Sequence, residues 1–223
     1  FGPSYKYTGK TVNDFIATGA PVSAKLGLVT LVFVLLTSIP MGILAALKNG
    51  KWQDMLLMAI ATIGVTIPSF VIASVLIYVF SFKLPTFGLD SWKSYILPVI
   101  AMGGYSVSYL ARLMRSSLLE VMGQDYIRTA RAKGLTEFAV VTKHALRNAL
   151  IPVITVLGPT VAGLLTGSFV VEKIFAIPGI GYYFVNSVTQ RDYTTIMGVT
   201  IFFAAFLMAM VLLVDIFYCL IAP

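Results

Sequence analysis

Cysteine and histidine are nearly absent from this sequence, since Cys219 and His144 are the only examples of each. One thiol cannot close a disulfide within the chain, and one thiol with one histidine makes no metal site. Charged residues are also scarce. They make up 11% of the chain, whereas a water-soluble domain usually carries about 25%. The surface of this protein is therefore not built to face water throughout.

Long hydrophobic runs take the place of the missing charge. Hydrophobic residues make up 58% of the chain, and a membrane-spanning helix needs about 20 mostly apolar residues. Five runs are long enough, and they cover residues 26–47, 55–82, 95–113, 149–171 and 196–222. The second run is the longest, so it is expected to tilt or to end outside the membrane. The sequence predicts an all-α, polytopic membrane protein with five transmembrane helices in this chain.

The distribution of lysine and arginine predicts the orientation. The segment 112–147 holds seven basic and three acidic residues, and the turn 48–51 adds two lysines. The loops 83–94 and 172–193 hold two basic residues each. Because basic residues are enriched in cytoplasmic loops, residues 1–25 and 172–193 are predicted to be extracellular and the C-terminus cytoplasmic. An outside start with five spans indicates that one helix precedes this chain, giving six in the full-length protein.

Clustered basic residues beside apolar runs fit this orientation rule better than they fit nucleic-acid binding, which would need a basic face on a soluble fold. Prolines and glycines also fall inside the runs, for example Pro40, Pro68 and Pro159. A proline in a transmembrane helix frees a carbonyl, which must be satisfied by a neighbouring helix or a wet cavity. Kinked helices around a cavity are typical of a transporter, and ordinary membrane packing is the alternative.

The polar stretch between the third and fourth runs has the pattern of two short helices. Asp125 can cap a first helix, residues 126–133 are good helix formers, and Gly134 is placed to end the helix in a left-handed conformation. Thr136 can cap a second helix that runs toward the fourth span. The stretch therefore predicts a helix, a glycine turn and a helix on the cytoplasmic face.

The first of these helices is amphipathic. Tyr126, Ile127 and Ala130 share one side of it, and the basic residues point elsewhere. A short amphipathic helix presented by a membrane protein suits a groove on a partner protein. A basic helix resting on anionic lipid headgroups is the alternative.

Two strings, Gln124–Leu135 and His144–Pro152, closely resemble the cytoplasmic loop of peptide-type ABC importer permeases. Residues 171–181, with Arg191-Asp192-Tyr193, resemble the last external loop of that family, and Ile67-Pro68-Ser69-Phe70 resembles its third-helix signature. The family's loop usually starts with Glu-Ala-Ala. Here Arg128-Thr129-Ala130 stands in its place, as in the peptide subclass. The best match is the B-type permease of a bacterial oligopeptide importer, without its first transmembrane helix and most of the following external region.

The resemblance implies a type I ABC importer permease fold, with one permease domain over residues 1–223 in the bacterial plasma membrane. It implies that residues 125–147 form a cytoplasmic coupling region, below called the coupling segment. The expected partners are a second (C-type) permease, two cytoplasmic ABC ATPases, an extracellular lipid-anchored peptide-binding protein, the peptide and membrane lipid, with no nucleic acid. ATP and Mg are expected in the ATPases. No catalytic, cofactor or metal site is expected in this chain.

The resemblance also implies two sets of functional residues. The loop that docks on the ATPase comprises Asp125, Tyr126, Ile127, Arg128, Thr129, Ala130, Arg131, Ala132, Lys133, Gly134 and Leu135. The external gate, or contact with the binding protein, comprises Glu172, Pro178, Gly179, Gly181, Arg191 and Asp192.

Asp215 is a carboxylate inside the fifth run, where a charge is costly unless it is paired or wet. It is expected to pair with a base such as Arg112 or Arg115. Other functions remain open. A permease of the same class could carry dipeptides, nickel complexes or other small solutes. An intramembrane enzyme would need paired carboxylates or a Ser–His pair, and a scaffold or receptor would leave the prolines and glycines inside the spans without a purpose.

Overall fold

The structure, a computed structural model, is helical along most of the chain. It describes residues 1–221, without the side chains of residues 214, 215 and 217–221. The helices are α1 (Val12–Leu47), α2 (Trp52–Thr66), α3 (Ser69–Phe80), α4 (Ile96–Met122), α5 (Asp125–Ala132), α6 (Glu137–Ala139), α7 (Leu146–Ala149), α8 (Ile151–Leu165), α9 (Phe169–Ile174), α10 (Ile180–Gln190) and α11 (Tyr193–Ile221). The described residues form no β-sheet, so the predicted all-α class is confirmed.

Within residues 1–221, four helical stretches are long and apolar enough to cross a membrane. They are Val12–Leu47, Trp92–Met122, Ile151–Ile174 and Tyr193–Leu213. The pair α2 and α3 makes a fifth span if it counts as one. Four of the five predicted runs therefore lie in such stretches, while the second is interrupted at Ile67 and Pro68, where α2 and α3 meet at a bend of 107°. Pro68 has no amide hydrogen to donate to the preceding turn, which explains the break.

The first helix begins earlier than its hydrophobic run. The run starts at residue 26, whereas α1 starts at Val12. Thr11 and Asp14 cap this end reciprocally. The Thr11 amide donates to the Asp14 carboxylate over 2.7 Å, and the Asp14 amide donates to the Thr11 hydroxyl over 3.4 Å. This is the geometry of a capping box, and its Thr-x-x-Asp spacing is visible in the sequence.

The chain divides into two compact units. Unit 1 comprises Phe1–Phe33, Ile67–Gly104 and Gly158–Pro223, and unit 2 comprises Val34–Thr66 and Tyr105–Leu157. In unit 1, Val12, Ile180 and Val199 form a buried cluster. Glycine lets helices approach closely in both units. A Cβ on Gly27 would lie 2.8 Å from the Cα of Leu165, and one on Gly42 would lie 2.6 Å from the Cβ of Met114. Close approach of helices at small residues is typical of membrane helix packing.

Candidate functional site

The first helix of the coupling segment is α5, in unit 2, and it ends as predicted. Gly134 has φ +77°, in the left-handed region. The Gly134 amide donates to the Arg131 carbonyl over 2.9 Å, and the Leu135 amide donates to the Ala130 carbonyl over 3.5 Å. This pair of hydrogen bonds defines a Schellman helix end, in which glycine is preferred after the last helical turn.

Asp125 does not cap α5. The residue that precedes the helix is Gln124, which is extended and makes no side-chain cap, and Asp125 is the first helical residue. Its carboxylate lies 3.5 Å from Nη1 of Arg128, one turn further on. The capping prediction was wrong by one residue. An acidic residue in the first turn still favours the positive end of the helix dipole.

The apolar side of α5 faces into the protein. Ile127 and Ala130 are buried, and α5 packs against the π-helical turn Val140–Ala145. Tyr126 is 42% exposed, although its hydroxyl accepts a hydrogen bond from Nδ2 of Asn148 over 2.7 Å. The predicted shared side is therefore confirmed for Ile127 and Ala130, while Tyr126 lies at its edge.

A salt bridge joins the two helices of the coupling segment across the glycine turn. The Arg131 guanidinium donates twice to Glu137, with distances of 2.7 and 3.1 Å to the two carboxylate oxygens. This pairing lowers the pKa of Glu137 and raises that of Arg131. Such a two-point contact fixes the direction of both side chains more firmly than a single hydrogen bond does.

The second helix starts at its predicted cap and then changes character. The Ala139 amide donates to the Thr136 hydroxyl over 3.4 Å, which confirms the cap. The chain then widens into the π-helical turn Val140–Ala145 before it returns to α-helix. The sequence gives no sign of this turn. Phe138 projects from the segment with 80% of its surface exposed.

A partly buried ion pair lies in unit 2, and the sequence did not indicate it. Nε and Nη2 of Arg115 donate to the two oxygens of Asp54 over 2.6 and 2.7 Å, and Nη2 also donates to Oδ1 of Asn49 over 2.9 Å. The Gly50 amide completes the set with 3.0 Å to Asp54. This cluster ties the α1–α2 turn to α4. Arg115 is therefore engaged by Asp54, while the side chain of Asp215 lies outside the described residues.

Glu172, the first residue of the predicted external loop, lies in unit 1 and is completely buried. The Ser23 hydroxyl donates to its Oε1 over 2.8 Å, and the Tyr182 amide donates to its Oε2 over 3.2 Å. Ser23 in turn accepts a hydrogen bond from the Ile180 amide over 2.9 Å. The carboxylate therefore joins α1, α9 and the start of α10 instead of facing outward.

Two of the predicted glycines leave room for this carboxylate. A Cβ on Gly179 would lie 2.7 Å from Cδ of Glu172, and one on Gly181 would lie 2.8 Å from the Cα of Phe169. Pro178, between Ile177 and Gly179, is exposed. Any side chain at either glycine would displace the carboxylate or the backbone of α9.

Asp192 holds the other end of the loop and is also buried. It accepts hydrogen bonds from the Ser4 hydroxyl, from the Tyr5 amide over 3.2 Å and from the Thr195 hydroxyl over 2.9 Å. Burial alone would raise the pKa of Asp192, but these hydrogen bonds outweigh it and bring the pKa below its ordinary value. The neighbouring Arg191 is exposed and has φ +58°, because it ends α10 in the left-handed region.

Comparison with known proteins decides the family. The model of a family described as "Binding-protein-dependent transport system inner membrane component" matches residues 38–223. The chain belongs to this family. It is a multi-pass permease of the inner membrane, and permeases of this family are not themselves catalytic.

Peptide permeases are among the relatives of this permease. It is 49% identical over 226 residues to the dipeptide transport system permease protein DppB of Bacillus subtilis (strain 168), with 100% of this chain and 73% of that protein covered. The oligopeptide transport system permease proteins OppB of Haemophilus influenzae and Salmonella typhimurium are 43% and 41% identical, and the alignments cover 100% of this chain and 74% of each.

Solved structures confirm the predicted type I importer permease fold. The methionine ABC transporter MetNI, in an inward-facing conformation, matches 95% of this permease and 98% of that chain with a TM-score of 0.81 at 18% identity. An amino acid ABC transporter determined with histidines matches 92% and 94% with a TM-score of 0.70 at 17% identity. At such low identity the match concerns the fold alone.

Proposed function

We propose that this permease forms half of the translocation path of an ATP-driven oligopeptide importer. A C-type permease forms the other half, two cytoplasmic ATPases bind ATP and Mg, and a lipid-anchored external binding protein delivers the peptide. This chain holds no cofactor of its own. The names of its relatives support the substrate class, because proteins 41–49% identical to it over its full length are peptide transport permeases.

The main support for this proposal is the coupling segment. Its helices are held together by contacts within the segment, yet several of its apolar side chains are exposed. Phe138 is 80% exposed, and Tyr126 and Leu135 are each 42% exposed. Aromatic residues are enriched at protein contacts, where they often dominate the binding energy. We therefore place the ATPase on this face, with Phe138 as its anchor.

Two contacts within the coupling segment explain how it would transmit a movement of the ATPases to the membrane spans. The Arg131–Glu137 salt bridge and the Tyr126–Asn148 hydrogen bond hold α5 against the helix that follows it. A segment held at both ends moves as one body. ATP binding can then bias the spans between inward-facing and outward-facing states through this lever.

A pair of exposed phenylalanines tests the docking surface. Phe82 is 95% exposed and adjoins the loop 83–94, which is predicted to be extracellular. We expect Phe138→Ala to lower both ATPase co-purification and ATP-dependent peptide uptake in proteoliposomes at least about tenfold, since a contact anchor is worth roughly 2 kcal/mol. Phe82→Ala should leave both near the wild-type level.

Two results would contradict the docking surface. One is retention of the ATPase by the Phe138→Ala complex. The other is equal loss with Phe82→Ala, which would indicate general damage to the protein. If the ATPase stays bound while the binding of the segment to anionic vesicles falls, the segment rests on lipid headgroups instead.

The substrate class needs its own measurement, because the relatives include both dipeptide and oligopeptide permeases. Uptake of labelled peptides of two to six residues, and of a nickel complex, should be compared in cells with and without this gene. We expect the gene-dependent uptake to favour the longer peptides. Uptake confined to dipeptides or to nickel would instead support the alternative of a small-solute permease.

A further inference from the structure

The ion pair between Asp54 and Arg115 joins parts of unit 2 that lie far apart in the sequence. The guanidinium of Arg115, on α4, donates over 2.6 and 2.7 Å to the two oxygens of Asp54, in the first turn of α2. Its Nη2 also donates over 2.9 Å to Oδ1 of Asn49, in the turn between α1 and α2. One side chain of α4 therefore holds both this turn and the start of α2.

This ion pair is costly to bury. The Asp54 side chain is 5% exposed and that of Arg115 is 25% exposed, so both charges have lost most of their contact with water. A buried ion pair is weak evidence for stability, because apolar residues of the same volume often do as well, and its best-attested use is to fix the register of packed helices. A two-point contact also fixes the relative direction of the two groups. The pair is therefore better explained by positioning than by stability.

The apolar contact between α1 and α4 does not supply this positioning. A Cβ on Gly42 of α1 would lie 2.6 Å from the carbonyl oxygen of Ala111 on α4, so the two helices approach closely. Apolar burial is non-directional, and it holds helices together without fixing how far one has slid along the other. The hydrogen bonds of Arg115 supply the direction that this contact lacks.

Arg115 also lies close to the coupling segment. It stands seven residues before Met122, where α4 ends, and this is about 10 Å along the helix axis. Only Gly123 and Gln124 separate α4 from α5, and their amides donate to carbonyls in the last turn of α4, each over 3.1 Å. A displacement of α5 therefore reaches Arg115 through a short hydrogen-bonded connection.

We propose that Arg115 and Asp54 are positioning residues of the transport cycle, and that their ion pair makes the α1–α2 turn move together with α4 when the ATPases displace α5. The inference rests on the proposed function, because it takes the ATPase to dock on the coupling segment. It requires the pair to stay closed in every state of the cycle. The pair is then a permanent link and not a latch that opens and closes.

Loss of the link should separate ATP hydrolysis from transport. In the full complex in proteoliposomes, we expect Arg115→Gln and Asp54→Asn each to lower peptide uptake about tenfold, while ATP hydrolysis stays within about twofold of the wild type. The number of ATP molecules hydrolysed per peptide should therefore rise about fivefold or more. A residue that only stabilises the fold would lower both rates together, in proportion to the amount of assembled complex, and would leave this ratio unchanged.

Three further variants sharpen this test. Glu120→Gln removes an exposed carboxylate from the same helix and should leave the ratio at its wild-type value. Arg115→Lys keeps the charge but loses the two-point contact, so its ratio should lie between those of the wild type and Arg115→Gln. The double variant Asp54→Asn/Arg115→Gln should be no worse than either single variant, because both changes break the same link.

A distance measurement with the ion pair intact covers the case in which these variants do not assemble. In a Cys219→Ser background, spin labels on Lys51→Cys and Ser116→Cys, two exposed positions near the pair, report the distance between the α1–α2 turn and α4. Electron paramagnetic resonance should show that this distance changes by less than about 2 Å between the nucleotide-free complex and the complex with a non-hydrolysable ATP analogue. Uptake of peptide by the labelled complex confirms that it completes the cycle.

The two proposals fail in different ways. If the wild-type complex takes up peptide but Arg115→Gln keeps the wild-type ratio, the link is overturned and the proposed function stands. Separation of the two spin labels when the ATP analogue binds has the same meaning, because it shows a latch that opens. An assembled wild-type complex that takes up no peptide overturns both proposals.

Discussion

The coupling segment and the loop 172–193 are held in opposite ways. In the coupling segment the salt bridge joins residues six apart, and both side chains are largely exposed. In the loop, Glu172 bonds to Ser23 and Asp192 bonds to Ser4, residues 149 and 188 positions away, and both carboxylates are buried. The coupling segment is therefore a locally folded surface. The loop 172–193 is instead held by a buried hydrogen-bond network that joins distant parts of unit 1.

This difference suggests how the two regions serve a transporter. A surface that must engage and release a partner gains from local order and uncovered side chains. A loop that must keep its shape while helices move gains from buried, long-range hydrogen bonds, because removing one of their partners leaves another polar group unsatisfied. The comparison predicts that equivalent substitutions will have very unequal effects in the two regions.

The largest effect is expected from Glu172→Ala. The change leaves the Ser23 hydroxyl and the Tyr182 amide without their acceptor in a buried site. Each unsatisfied buried group costs about 1–3 kcal/mol, so the free energy of unfolding should fall by about 3 kcal/mol or more. Thermal unfolding of the detergent-solubilised protein, followed by circular dichroism, measures this change.

The matched control for Glu172→Ala is Glu172→Gln, which has the same shape and keeps one acceptor oxygen. It should recover part of the loss. If Glu172→Ala melts within a degree or two of the wild type, the buried hydrogen-bond network does not stabilise unit 1, and the contrast between the two regions is lost.

An intermediate effect that depends on pH is expected at Asp192. Its pKa is lowered in the folded protein, so its contribution to stability is fully present above the unfolded-state pKa and is lost as the pH falls through the folded-state pKa. Below about pH 4, the melting temperature of the wild type should therefore fall more steeply than that of Asp192→Asn. Between about pH 5 and pH 7 the two curves should run parallel, because Asp192 is then ionised in both the folded and the unfolded protein. Parallel curves down to pH 3 would contradict the prediction.

The local features of this permease could be predicted from its sequence, and the long-range ones could not. The left-handed Gly134 and the Thr136 cap depend on neighbours within five residues, and both were predicted. The partners of Glu172 and Asp192 were not, because no local pattern marks Ser23 or Ser4. The Asp54–Arg115 pair was missed for the same reason, since 61 residues separate the two side chains.

The positions at which helices begin and end were also difficult to predict from the sequence. Hydrophobicity alone placed the start of the first span at residue 26, although the capping pair at Thr11 and Asp14 was visible in the sequence. Hydropathy reports which residues prefer lipid and not where a helix begins. The break at residues 166–168 was missed as well, because Gly167 lies within an apolar run and packing decides whether such a glycine bends or ends the helix.

The smallest effect is expected from Glu137→Gln in the coupling segment. Glu137 and Arg131 are 57% and 42% exposed, and salt bridges of this kind contribute about 0–1 kcal/mol. The melting temperature should change by no more than a degree or two, and raising the salt concentration should shrink even that difference because ions screen the pair. ATP-dependent uptake should fall by less than about threefold, since the turn at Gly134 and the Tyr126–Asn148 hydrogen bond still hold the segment together. A loss of stability as large as that of Glu172→Ala would show that the coupling segment is not the locally ordered surface described above.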